Sequence, residues 1–162
     1  SIDAYLAGMR RLAAGVTIVT TAHEGIWAGL TATSVCALTV EPPRLLTCIQ
    51  RDSDAHDLIA RSRRFVVNVL TTRHQDLSER FGGREDSFGP ERFAAGEWLE
   101  GRSGAPLLIG AASAFECTLC EQVAASTHSI FIGEVEAVTL GDGEPLVYHE
   151  RAYHRLVPIL RT

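Results

Sequence analysis

The chain has 162 residues, 46% of them hydrophobic and 22% charged, a globular composition long enough for one domain to bury a substantial core. Its 15 Lys and Arg against 20 Asp and Glu leave a formal charge of −5 with no basic block, which argues against a nucleic-acid scaffold or an anionic-membrane binder. No run approaches the length of a membrane span, and residues 1–14 are amphipathic rather than continuously apolar, so neither a span nor a signal peptide is expected and the expected location is cytoplasmic.

In chain order, Asp3 is placed to cap a first helix in which Tyr5, Leu6, Met9, Leu12 and Ala13 recur at helical spacing, with Gly15 ending it. Two runs rich in β-branched residues, VTIVTTA and IWAGLTATSV, flank the turn His23-Glu24-Gly25 and predict a hairpin. Pro42 and Pro43 break the chain before a further strand, RLLTCIQ. Ser53 and Asp54 open a short helix with Leu58 and Ile59 on one face, RFVVNVL follows as a buried strand, and Gln75 to Phe81 predicts a brief helix. Residues 82–104 are glycine-rich without a sustained period and predict a long irregular excursion, a kind of loop that in compact domains is usually functional or interface-forming. Two more strand-like stretches, 105–123 and 129–140, a GDGEP turn and a short segment from Leu146 to Val157 complete the chain.

Short strands dominate, and the helices between them do not alternate regularly with strands. This pattern predicts an antiparallel barrel with a few short helices. No G-x-G-x-x-G joins a strand to a helix, so a nucleotide cofactor would have to be held in another way. Cys36, Cys48, Cys117 and Cys120 read as small, reduced core residues, the C-x-x-C pair lying on an alternating strand that points its thiols to opposite faces. No further His or Cys pair completes a metal site, and no G-x-S-x-G supplies a nucleophile elbow. Glu134 and Glu136 read as a solvent face, and His23, His56 and His74 as surface residues of turns or polar helix faces. His128 differs, because it precedes a strand and follows a small polar run, where a side chain can project over a pocket mouth. Thr31, Thr33 and Ser34 stand where apolar core is expected: they either satisfy backbone hydrogen bonds or face something polar that is not protein.

The ordered segments GVTIVTT, GLTATSVCALTVEPPRLLTC, RFVVNVLTTRHQDLSERFGG, GAPLLIGAASAFEC, HSIFIGEVEAV and PLVYHERAYHRL resemble the flavin reductase family of FMN-binding split barrels, from about Gly15 to Leu156. These are the reductase components of two-component flavin-dependent monooxygenases. The resemblance implies one domain over residues 1–162, a six-stranded antiparallel split β-barrel, a homodimer, and a flavin (FMN or FAD) held at the dimer interface and reduced by NADH or NADPH. NADH is the expected donor, since no Arg/Lys pair awaits a 2′-phosphate.

By the same resemblance, Thr31, Ala32, Thr33 and Ser34 line the flavin ring and ribityl chain, and Cys48, Ile49, Gln50 and Arg51 run along them. Arg51 and Ser53 belong to the phosphate-binding turn, a role suited to a helix start. Phe81 lies near the flavin, Arg92 stands in for a family lysine, and His128 and Tyr153 flank the nicotinamide, with His128 the catalytic-site residue. The chain departs from the family pattern at Val35, Asp54, Ala55 and Thr127. A flavin-binding or storage module without turnover is the alternative reading of the same barrel. An oxidase of a small phosphorylated cofactor would want a richer basic cluster than Arg51 and Arg92 supply.

Overall fold

A computed structural model of the chain describes residues 1–83 and 89–161; residues 84–88 of the expected excursion, and Thr162, lie outside the described residues. Helix α1 (Ile2–Arg10) is capped by Ser1, whose Oγ accepts from the Ala4 N–H at 3.2 Å. The expected cap, Asp3, instead sits inside the first turn, where its charge complements the helix N-terminus. The helix ends before Leu12, and Gly15 belongs to a two-residue strand, β1 (Ala14–Gly15), rather than to the helix end.

Strands β2 (Thr17–His23) and β3 (Ile26–Ala32) form the expected hairpin. Glu24 and Gly25 at its tip have φ of 50° and 77°, the two positive values a type I′ turn requires. The second predicted run breaks at Thr33-Ser34, so β4 (Val35–Thr39) is a separate strand. Then come β5 (Arg44–Gln50), α2 (Asp54–Ser62), β6 (Arg64–Val69), a 3₁₀ turn (Thr72–His74) and α3 (Gln75–Phe81). The excursion expected to be irregular carries a 3₁₀ segment (Gly89–Ala94) and β7 (Trp98–Glu100), which pairs with β8 (Pro106–Leu108). A long hairpin of β9 (Ser113–Ala125) and β10 (His128–Leu140) precedes β11 (Val147–His149) and β12 (Ala152–His154), which pair with each other and, through β11, with β1.

Seven antiparallel strands form the main sheet in the order β3-β2-β6-β9-β10-β5-β4. β3 and β4 are its opposite edges, yet only Thr33 and Ser34 separate them in the chain. Three Cα steps span at most about 11 Å, so the two edges must approach and the sheet must curl into a split barrel. The Ser34 carbonyl accepts the Cys48 N–H at 3.1 Å and ties this corner to β5. The main sheet has seven hydrogen-bonded strands where the resemblance implied six, with β3 and β4 on either side of that corner counted separately.

Ile49, Phe65, Val67 and Phe131, each 0% exposed, fill the barrel, and Ile59 of α2 joins them. Burial of each such side chain contributes roughly 1.5–3 kcal/mol. Gly133 makes room for the Phe65 ring, which a Cβ there would meet at 2.5 Å. A second cluster, with Val16, Leu70, Phe81 and Leu146, joins α3 and the neighbourhood of β11 to the barrel.

Two expectations about placement fail. His56 is 6% exposed, not a surface residue, because it lies on the α2 face that also buries Ala55 and Ile59. Of the cysteines expected in the core, only Cys117 is buried; Cys48 is half-buried and Cys36 and Cys120 are exposed. Cys36 is on an edge strand, and Cys120 points away from the core that Leu119 enters. Burial, then the charges of Cys120, Glu136 and Glu116, push the Cys117 thiol up to about 12, leaving it unreactive. Glu134 pairs with Arg44 at 3.2 Å, and Glu136 accepts from Thr118 at 3.0 Å on the partly solvated face expected for them. Among the described residues no helix is long and apolar enough to cross a membrane.

Candidate functional site

A cleft of about 350 Å³ opens between β3, the β5–α2 turn, the end of α3 and the 3₁₀ segment 89–94. Five predicted site residues line it: Thr31, Gln50, Ser53, Phe81 and Arg92. Asp52 and Asp54 line it too, neither of them a predicted ligand. A smaller cleft of about 180 Å³ shares Thr31 and Gly82 with the first and is lined by Thr33, Ser78, Tyr148 and Tyr153. Thr31 and Gly82 are thus the saddle of a two-lobed site, whose combined size falls in the usual small-molecule range of about 300–1,000 Å³.

The saddle is built by packing β3 onto α3. Thr31 Oγ1 donates to the Ser78 carbonyl at 2.6 Å, and Tyr153 OH donates to Ser78 Oγ at 2.9 Å, so Ser78 anchors both lobes. Gly29 lets Phe81 approach, since a Cβ there would stand 3.1 Å from both Phe81 Cε1 and the Val19 carbonyl. Phe81 is only 1% exposed; its ring centroid lies 5.0 Å from that of Phe93 and 5.4 Å from that of Trp98, so it walls the cleft from within the core. Arg92 Nη1 donates to the carbonyls of Gly29 and Phe81 at 3.1 and 3.3 Å, clamping β3 to the end of α3.

At the opposite wall, Ser53 caps α2. Its Oγ accepts from the His56 N–H at 3.3 Å and donates to the Gln50 carbonyl at 2.8 Å. The N–H groups of Asp54 and Ala55, the first two of the helix, have no partner within it. Gln50 lies opposite His128 in the β5–β10 pairing. His128 is exposed, and its Nδ1 shares a 2.8 Å hydrogen bond with Thr127 Oγ1. Arg51 leans away to the β9–β10 turn, its N–H donating to the Thr127 carbonyl at 2.9 Å and Nη1 to the Ser126 carbonyl at 3.3 Å.

Other predicted residues stand behind this surface. The side chains of Ala32 and Ile49 are buried in the barrel core, leaving only their backbone near the corner. Ser34 Oγ donates to the Cys48 carbonyl at 3.0 Å, which makes these two residues a brace between β4 and β5. The hydroxyl cluster therefore divides: Thr31 and Ser34 satisfy backbone carbonyls, while the exposed Thr33 hydroxyl has no partner among the described residues and faces the smaller lobe. Ser78 and Tyr148 carried no local sequence signal, since α3 and β11 reach the lobe only through tertiary packing.

Beneath His128, His56 joins α2 to β10. Its Nε2 is 2.7 Å from Ser129 Oγ, its Nδ1 is 3.2 Å from Asp57 Oδ1, and its ring meets Phe131 edge-on at 5.1 Å. Serine, histidine and aspartate in a row invite comparison with a hydrolytic triad, but Ser129 is 1% exposed and no substrate reaches it. A further cavity of about 300 Å³, lined by Arg64, Arg102, Glu116 and Glu136 among others, has balanced side-chain charge and contains none of the predicted site residues.

A family model described as flavin reductase like domain matches residues 9–157. The chain belongs to the flavin reductase family. The FMN reductase (NADH) RutF of Ancylobacter novellus is 43% identical to it over 155 residues, which cover 95% of this chain and 84% of that protein. Among solved family structures, BorF, the flavin reductase component of a bacterial two-component tryptophan halogenase, is 30% identical with a TM-score of 0.88, the match covering 98% of this chain and 100% of BorF. The NADH:FAD oxidoreductase SgcE6 of Streptomyces globisporus C-1027, solved with NAD and FAD fragments, is 27% identical with a TM-score of 0.88, over 98% of this chain and 94% of its own.

Proposed function

We propose that this flavin reductase family member is an NADH-dependent flavin oxidoreductase that reduces FMN or FAD and delivers the reduced flavin to a flavin-dependent monooxygenase. The observation that carries the reading is the two-lobed cleft meeting at Thr31 and Gly82. The donor set fits a flavin: a Thr33 hydroxyl and N–H groups at the start of α2 that have no partner among the described residues, the Gln50 amide, and an apolar wall backed by Phe81. Bound flavin supplies the hydride acceptor and the nicotinamide the hydride.

The chain's own residues orient and exclude. Gln50, Thr33 and Ser53 hold the polar edge and side chain of the flavin, while Ala32, Ser34, Cys48 and Ile49 contribute through their backbone and brace the corner. Phe81 and Arg92 keep the wall rigid. His128, fixed by Thr127 and set opposite Gln50, positions the donor, with Tyr153 bordering the adjoining lobe. Oriented donors stabilise developing negative charge without a side-chain acid, which suits a site lined by the hydroxyls of Thr31, Thr33, Ser53 and Ser78.

A homodimer is part of the same reading. Helix α1 buries none of its residues, leaving Ile2 77% and Tyr5 64% exposed, Leu12 just beyond it is 62% exposed, and the end of β10 leaves Leu140 81% exposed. Unpartnered apolar surface of this extent marks an interaction site. Four free thiols suit the cytoplasm. The deciding experiment is anaerobic mixing with NADH and excess FMN or FAD. Loss of the flavin absorbance near about 450 nm, faster than without protein, supports the reading, and no acceleration with either flavin or with NADPH ends it.

A further inference from the structure

A cavity of about 300 Å³ opens between the turn that joins β7 to β8 and the strands β6, β9 and β10, and it shares no lining residue with the two lobes of the cleft. Four of its lining side chains are charged, Arg64, Arg102, Glu116 and Glu136, and neutral groups keep them from pairing with one another. Thr118 stands between Arg64 and Glu136, its Oγ1 accepting from Arg64 Nη1 and donating to Glu136 Oε1 at 3.0 Å. Glu116 Oε1 accepts the backbone N–H of Arg102 at 2.7 Å, while the Arg102 guanidinium makes no hydrogen bond or ion pair among the described residues.

The acid is built into the fold. Glu116 is 8% exposed, and a Cβ on Gly101 would stand 2.5 Å from its Oε1, so glycine is what lets the turn close on the carboxylate. The turn is itself fixed, with the Gly101 N–H donating to the Ala105 carbonyl at 2.8 Å and the Gly104 N–H to the Gly101 carbonyl at 3.0 Å. Glu116 Oε2 has no donor among the described residues, a costly state for a carboxylate so far from bulk water. The Cys117 thiol beside it is held protonated and adds no charge.

We infer that this cavity binds a small zwitterion, a molecule carrying one ammonium and one carboxylate group such as a free amino acid, at a site separate from the flavin cleft. Glu116, supported by Glu136, receives the ammonium. The Arg102 guanidinium, supported by Arg64, receives the carboxylate in the planar fork geometry that arginine offers. A ligand with a single charge satisfies one pair and is repelled by the other. The volume sits at the lower end of the range for small-molecule sites, about 300–1,000 Å³, which suits an amino acid better than a nucleotide.

The test is isothermal titration calorimetry of the full chain, without flavin or nicotinamide, against glycine, 4-aminobutyrate and 6-aminohexanoate. Butyrate and butylammonium are the single-charge controls. The expected result is saturable binding of at least one zwitterion with a Kd of about 1 mM or tighter, and controls weaker by about tenfold or more. Glu116→Gln keeps the acceptor for the Arg102 N–H and removes the charge, so Tm is retained while zwitterion affinity falls by about tenfold. Arg102→Gln, at an exposed position, lowers it similarly and leaves butylammonium binding no weaker. Saturation by none of the three zwitterions, controls that bind as tightly as they do, or an unchanged affinity in Glu116→Gln would each overturn the inference. None of these outcomes bears on the flavin-reductase reading, which the reduction assay decides on its own.

Discussion

The two faces of β10 give neighbouring residues opposite lives. His128 is exposed at the strand's start, paired in register with Gln50, which lines the cleft, and its ring bonds Thr127. Ser129, the next residue, is 1% exposed and bound to a histidine that is itself 6% exposed, His56. One face offers polar groups to a ligand, and the other consumes them to join α2 to the sheet. A histidine's residue type does not tell which it is. The face of the strand it meets does.

The comparison is sharpest when each histidine is removed in turn. His128→Ala lowers the rate of flavin reduction by NADH by about 100-fold, the scale of a misplaced reactant, while flavin affinity and the unfolding midpoint stay unchanged. A reduction rate equal to wild type would leave the flavin-storage alternative standing. His56→Ala has the reverse signature. It destabilises the fold by about 2–3 kcal/mol in urea unfolding, because it empties a packed position and leaves the Ser129 hydroxyl buried without its partner. The flavin affinity of the folded fraction stays within about threefold of wild type.

A buried face can also hold a polar group that joins nothing. Thr47 lies inside β5 opposite Phe131, 0% exposed, and its Oγ1 has no hydrogen-bond partner among the described residues. Thr47→Val keeps the shape and removes the unsatisfied hydroxyl, so it raises stability by about 1 kcal/mol, read as an increase in Tm. A loss of stability would show that the hydroxyl is satisfied in solution.

His74 is the intermediate case, half-buried, its Nδ1 accepting the Thr71 N–H at 3.0 Å. Burial, aided by the Arg73 charge, lowers its pKa below the ordinary value of 6.5. The folded state therefore binds fewer protons than the unfolded state just below that value. The stabilisation is present above 6.5 and is lost as pH falls toward the depressed folded pKa. Lowering the pH from about 7.5 to about 5.5 should lower Tm by about 2 °C more in the wild type than in His74→Gln. Equal slopes would place the effect on other groups.

The barrel was legible because its evidence is local. The β2–β3 turn and the Gln75–Phe81 helix follow from turn chemistry and periodicity, and both stand as expected. The split of one run at Thr33-Ser34 was not legible, because IWAGLTATSV has no Gly or Pro at the corner; the break arises from the closing of the sheet. Site residues on the saddle were found through their hydroxyls and the resemblance, whereas Ser78 and Tyr148 arrive by packing. His56 was misplaced because neighbouring Asp54 and Asp57 make its helix face read as polar, although Ala55 and Ile59 mark the buried side. Arg51 and Arg92 illustrate the remaining limit, since nothing in a sequence says that a guanidinium will be turned onto a carbonyl.

A crystal structure of the protein grown with FMN tests the central claim most directly. The account predicts the flavin ring at the saddle, against Thr31 and Gly82, with Gln50 on one side and His128 open to the nicotinamide. A flavin lodged instead in the cavity of Arg64, Glu116 and Glu136, with the saddle empty, would contradict it.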